Sequence, residues 1–197
     1  MNMNMRTLFS KDTFPGVKLL LFAYILLILA AFVLPFFSVD EYSIVKNTTS
    51  HLGAQNAPNA WMMNVVFILL GISSIIDSWV RLSGFWLHKV VIIVFGISLL
   101  LTGVFQHAPI TQGVHYNEFK DNMHSIFASI TGYSFVFFAI ASGFIEKTKA
   151  RRILAISVGC FASLCSFLFF NLPDFAGIWQ RLIFLSSFAW LLYFSYK

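Results

Sequence analysis

The chain has 197 residues, 58% hydrophobic and only 11% charged, with a formal net charge of +5 and a mean hydropathy of +0.80. So little charge cannot cover the surface of a soluble domain of this size. Apolar runs of about 20 residues match the roughly 30 Å hydrocarbon core of a bilayer. The chain therefore reads as all-α: a polytopic membrane protein, one transmembrane domain over 1–197 with no separate soluble part.

Residues 1–15 are polar and contain Arg6, Lys11 and Pro15, as in a short cytoplasmic lead. The first span is 16–37, too long an apolar run for a signal peptide, with Pro35 kinking or ending it. A polar loop, 38–60, follows. The second span is 61–80, then a basic turn, RLSGFWLHK, then the third span, 88–106. Residues 107–122 form a second polar loop. The fourth span is 123–145, followed by the turn EKTKARR. The fifth, 153–172, stops at Pro173, and the sixth is 181–196.

Charge orients this six-helix bundle. Arg6, Lys11, Lys18, Arg81, Lys89, Lys147, Lys149, Arg151, Arg152 and Lys197 fall on one side, and only Lys46, Lys120 and Arg181 on the other. The positive-inside rule then places both termini in the cytoplasm. The net charge reports topology and attraction to anionic lipid heads. Membrane lipids are the expected partners, with a protein partner or a second copy also open. Nucleic acid is excluded, because no basic polar surface with interleaved aromatics exists. The tryptophans fall mostly near span ends, as an interfacial belt requires. Cys160 and Cys165 lie five apart in one run, on different helix faces, which argues against a disulfide. Small residues recur four apart at Ser98 and Thr102, Ala128 and Gly132, Gly159 and Ser163, and Ala162 and Ser166, a spacing that lets helices approach closely.

Polar chemistry collects on the outer side. The stretch 47–64, NTTSHLGAQNAPNAWMMN, mixes hydroxyls, amides, a histidine, Gly and Pro before a hydrophobic helix. His51, His107, His115 and His124 all fall on that side, with Asp40, Glu41, Glu118, Asp121 and Asp174; only His88 faces the cytoplasm. If the fourth helix starts early, Asn117, Asp121 and His124 share a face, and Asp121 would orient His124. One use is a pocket in which Thr48, Ser50, His51, Asn64 and His124 bind a ligand. A second is catalysis, with His124 as base, Ser50 as nucleophile, Asp121 behind His124 and Asn64 as oxyanion donor. A third is a zinc ion on His51, His107 and His124. The bland alternative, wetted interfacial histidines, weighs about equally, since neither HExxH nor GxSxG is present. Asp77 lies four residues before Arg81. The simplest reading is an interfacial ion pair, ahead of a proton or ion carrier. Asn47-Thr48-Thr49 matches the glycosylation pattern, one common by chance.

The run NTTSHLGAQNAPNAWMMNVVFILLG resembles the signature of a bacterial and archaeal membrane family, the domain of unknown function 998. Thr48, Ser50, Leu52, Gly53, Pro58, Met63, Asn64, Phe67 and Gly71 match it, as do Gly103-Val104-Phe105 at a helix end and His124 opening the next helix. The chain departs from it at His51, where the pattern has an acid. It is more distantly similar to Frag/DRAM-type six-helix proteins, through Phe105-Gln106 and His124. The resemblance implies six spans in a prokaryotic cytoplasmic membrane. It assigns no activity, and the distant relatives point to a lipid headgroup. The leading expectation is therefore an extracytoplasmic pocket for a lipid headgroup, small ligand or partner. A membrane-embedded hydrolase or acyltransferase is the alternative, and a proton or ion carrier comes third.

Overall fold

A computed structural model describes residues 18–79 and 81–196. The polar lead, the first two residues of the expected first span, Val80 and Lys197 lie outside the described residues. Helix α1, Leu19–Val33, runs into a 3-10 turn, Leu34–Phe37. The short α2 is Thr49–Leu52. Then come α3, Ala60–Trp79; α4, Trp86–Val104; α5, Glu118–Ile145; α6, Lys149–Asn171; and α7, Ala176–Ser195, entered through a 3-10 turn, Pro173–Phe175. No strand occurs among the described residues. Among the described residues, six helices are long and apolar enough to cross a membrane, as expected.

Polar residues at helix ends shift the expected boundaries. Helix α5 starts at Glu118 rather than 123, because the Asn117 side chain caps it by accepting the Lys120 N–H at 3.0 Å. Helix α6 starts at Lys149 rather than 153, capped by Thr148. Helix α7 starts at Ala176 rather than 181, since Pro173 opens a helical turn whose lost N–H would have had no partner anyway. Hydropathy is blind to such turns. Arg181, expected at a span end, therefore sits one turn inside α7 and is buried.

The spans pack in chain order. Helix α3 lies against α4, α4 against α5, α5 against α6 and α6 against α7, and α1 closes the ring on α3 and α7. The core is aromatic: Phe67, Phe95, Phe135, Phe138, Phe188, Trp190 and Phe194 are all buried. Trp190, 5% exposed, thus belongs to the core and not to an interfacial belt. Phe22, Phe36, Phe144 and Phe170 point outward, as lipid-facing side chains do. The closest crossing is α3 on α4, where Gly71 and Gly96 bring the two backbones together. Among the small pairs, Ser98 and Thr102 are buried, and Thr131 on α5 donates to Ser98 Oγ at 3.0 Å. Gly132 packs on nothing, so the expected packing role fails there.

The end of the bundle that carries Lys18 and Tyr196 overturns one expectation. Asp77 does not pair with Arg81. Its Oδ2 accepts the Leu20 N–H at 2.8 Å and the Tyr196 hydroxyl. It satisfies an orphan donor in the first turn of α1 and ties in the end of α7. Arg81 instead pairs with Glu146 at 2.6 Å. The first and last spans therefore begin and end together, at what we call the terminal end. The two polar loops meet at the other end, the histidine end.

Candidate functional site at the histidine end

The first polar loop is held down from α7. Arg181 donates to the carbonyls of Ala31, Ile44, Asn47 and Gly177 and to the Tyr42 hydroxyl. Gly177 lets the loop lie flat, since a Cβ there would overlap the Ile44 and Asn47 carbonyls. Gln180, one residue before Arg181, accepts from both the N–H and the hydroxyl of Thr49 at 2.7 Å. It donates to Ser50 Oγ at 3.4 Å. Asn64, inside α3, donates to the Gly53 carbonyl at 3.0 Å, and any side chain at position 53 would overlap the Asn64 amide.

Within α2, Thr48 and His51 form a reciprocal capping box. His51 Nδ1 accepts the Thr48 N–H at 3.1 Å and lies 2.8 Å from Thr48 Oγ1. A nitrogen that accepts a backbone N–H carries no proton. In the neutral ring the proton of His51 is therefore on Nε2. His124 is the opposite case. Its Nδ1 faces two carbonyls, Phe105 at 2.8 Å and Thr102 at 3.0 Å, so it must donate. Its Nε2 is then the bare acceptor. Only 2% exposed, His124 serves as a C-cap for α4, filling carbonyls that have no partner within that helix.

His107 stands between them. Its ring centroid is 4.7 Å from that of His51 and 5.0 Å from that of His124. Its Nδ1 lies 3.0 Å from Asp121 Oδ1, but off the line a hydrogen bond needs, so the contact is electrostatic. Asp121 Oδ1 accepts the Ala108 N–H at 2.7 Å. The expected service of Asp121 to His124 is thereby corrected: Asp121 supports His107 and its loop, while backbone carbonyls orient His124. Gln55 joins the two polar loops, donating to the carbonyls of Gln106 and Asn117 and accepting the Asn117 N–H. His115 is exposed, and its carbonyl accepts from Asn56.

Burial pushes the His51 imidazole down to about 4, helped by His107 and His124 and opposed by Asp121. Burial likewise lowers His107, against the pull of Asp121. The sign of the stability effect follows. Unfolded, His51 takes a proton below its ordinary 6.5; folded, it does so only near 4. Stability is therefore expected to fall as pH drops from about 6.5 to about 4 and then to level off, by on the order of 3 kcal/mol for His51. Thermal melts in detergent across that range check this. The slope should flatten in His51→Gln, where Gln preserves the capping box.

A hollow of about 40 Å³ opens beside His51, walled by Asn56, Ala57, Pro109, Ile110 and Val114. It has room for a few waters or the tip of one group. Of the sequence-selected residues, the three imidazoles and Asp121 come together, and Thr48 joins them through His51. Ser50 turns to Gln180, and Asn64 to Gly53. No three His, Cys, Asp or Glu side chains among the described residues are arranged to hold a metal ion. Nδ1 is engaged on both His51 and His124, which leaves their Nε2 atoms and the His107 ring as the remaining donors. The residues that sequence reasoning passed over are Gln55, Gln180, Arg181 and Tyr42. The one available signal was Arg181, a lone cation beside apolar sequence.

No curated protein and no solved structure matches the chain. The model of a family described as a protein of unknown function (DUF998) matches residues 22–196, from within α1 to the end of α7. With six apolar helices and nearly the whole chain matched, this protein belongs to the DUF998 family.

Proposed function

We propose that this membrane protein binds an oxygen-bearing small ligand, foremost a lipid headgroup, at the histidine end, on the extracytoplasmic face that the charge pattern indicates. The observation that carries the reading is His51. Its Nδ1 is occupied by Thr48, it lines the hollow, and its free Nε2–H is a donor for an acceptor oxygen. His107 and Asp121 stand behind it. A site that binds needs a donor on a rigid floor, and Arg181, Gln180 and Gln55 supply that floor. The hollow is small, so only the tip of a headgroup enters.

The alternative, a hydrolase or acyltransferase, draws support from the bare Nε2 of His124. It lacks a facing nucleophile and a free oxyanion donor, because Ser50 is bonded to Gln180 and Asn64 to Gly53. The ion-carrier reading has least support, since Asp77 is engaged by α1 and Tyr196.

The test is mass spectrometry of lipids and metabolites that co-purify with the wild type, His51→Gln and His107→Leu. The expected result is one species reduced about tenfold in His51→Gln, which loses the Nε2–H donor worth roughly 1.4 kcal/mol, and reduced also in His107→Leu, which loses the ring packed behind His51. An identical co-purifying set in all three proteins would overturn the reading. Turnover of that species by wild type, abolished in His124→Gln, would transfer the assignment to the enzyme.

A further inference from the structure

At the terminal end, the α4–α5 seam contains two buried polar groups whose hydrogen bonds are not satisfied by the protein. His88, in the first turn of α4, is 9% exposed, and its Nε2 has no hydrogen-bond partner. Ser142, near the end of α5, is 0% exposed, and its hydroxyl has none either. Most other helical serines among the described residues avoid this fate, Ser187 on α7 being an exception. Ser74, Ser98, Ser134, Ser163 and Ser166 each donate to a carbonyl in the preceding turn of their own helix. Ser142 does not, although the same carbonyl geometry is open to it in principle.

The two groups sit at the same height. The register of α4 on α5 is set by Thr131 on Ser98 and by His124 on Phe105. Continuing that antiparallel register brings Ser142 level with His88. The His88 ring is edge-on to Phe138, one turn from Ser142 on the same helix, and to Phe85, with centroids 6.2 Å and 5.8 Å away. These aromatic walls offer no acceptor or donor. One turn further along α5, Glu146 is itself committed to Arg81, so it does not serve the pair. Leaving a buried donor or acceptor unmet costs about 1–3 kcal/mol each, and buried polar groups without a protein partner are commonly met by ordered water.

We propose that His88 and Ser142 form a built site for one small neutral hydrogen-bonding molecule, water, which bridges the imidazole Nε2 and the serine hydroxyl between α4 and α5. Each of the two groups can donate or accept, which suits water. The bridge joins the two helices through a polar contact.

A double-mutant cycle on the full chain in nanodiscs tests this, with Ser142→Ala, His88→Leu and the pair, read by thermal unfolding. Ser142→Ala is the decisive variant because it leaves little cavity. With a bridging water it strands the water and His88, and the midpoint should fall by about 2–4 °C. The double variant should then fall by clearly less than the sum of the two singles. If no molecule is held there, Ser142→Ala removes an unmet buried hydroxyl and the midpoint stays or rises, which overturns the proposal. Additive losses overturn it too. Should His88→Leu fail to fold, magnetisation transfer from water protons to the His88 imidazole in ¹⁵N-labelled protein decides: a transfer peak that disappears in Ser142→Ala supports the bridge, and its absence in wild type refutes it.

Discussion

Arg181→Met is expected to lower the unfolding midpoint by roughly 10 °C, the equivalent of about 3–5 kcal/mol in a chain of this size. The guanidinium is 4% exposed. Its partners are four carbonyl oxygens at 3.0–3.3 Å and the Tyr42 hydroxyl at 2.6 Å. No carboxylate is among them, so backbone dipoles and the Tyr42 side chain offset a buried charge. Removing the side chain leaves those carbonyls unmet and frees the loop that carries α2. Arg181→Lys should recover only part of the loss, because one ammonium cannot reach carbonyls spread from α1 to α7 as a planar fork does. Circular dichroism melts in detergent give the result. A variant that melts like wild type would mean that Arg181 does not hold the loop. The same variants should lose the co-purifying ligand, since α2 positions His51.

Gly71→Val and Gly96→Val are expected to prevent folding or to cost about 3 kcal/mol or more. A Cβ at Gly71 would overlap the Gly96 carbonyl, and one at Gly96 would lie 2.5 Å from the Gly71 carbonyl and Ile75 Cγ1. Both obstacles include backbone, so no rotamer change relieves them. The whole α3–α4 contact would have to open. Gly132→Ala is the internal control. Nothing lies within 4 Å of a Cβ there, and replacing a helical Gly should gain up to about 1 kcal/mol. Yield of folded protein and melting midpoint in detergent separate the two classes. Equal behaviour of Gly71→Val and Gly132→Ala would refute the close crossing.

The six spans were readable because twenty apolar residues in a row have few other uses. Helix ends were less so. Asn117, Thr148 and Pro173 start helices through local backbone chemistry that a hydropathy window averages away. Polar pairing was the least readable. Asp77 and Arg81 stand four apart on the α3 side, which suggests an ion pair. Their actual partners, Leu20, Tyr196 and Glu146, lie 57 or more positions away in the chain. The polar groups at the histidine end show the same limit. His51, His107 and His124 were all visible as polar residues on one side. That His107 is the middle ring, and that Asp121 supports it instead of His124, depended on how the second loop folds back.

By itself, then, the sequence determined the solvent of this protein, the number of its crossings, and the end of the bundle at which polar groups gather. These follow from one-dimensional facts: run length, and which loops alternate in charge. Only the tertiary structure decided which groups meet. Ser50 and Asn64, which look like chemistry in the sequence, are bonded to Gln180 and Gly53 and build the floor. Arg181, which looks like an interfacial charge, is the buried clamp under the loop. The physical reason is that a polar group inside a membrane bundle must find a partner, and that partner is chosen by proximity in space. Sequence distance carries no information about it once the chain has crossed the bilayer and returned.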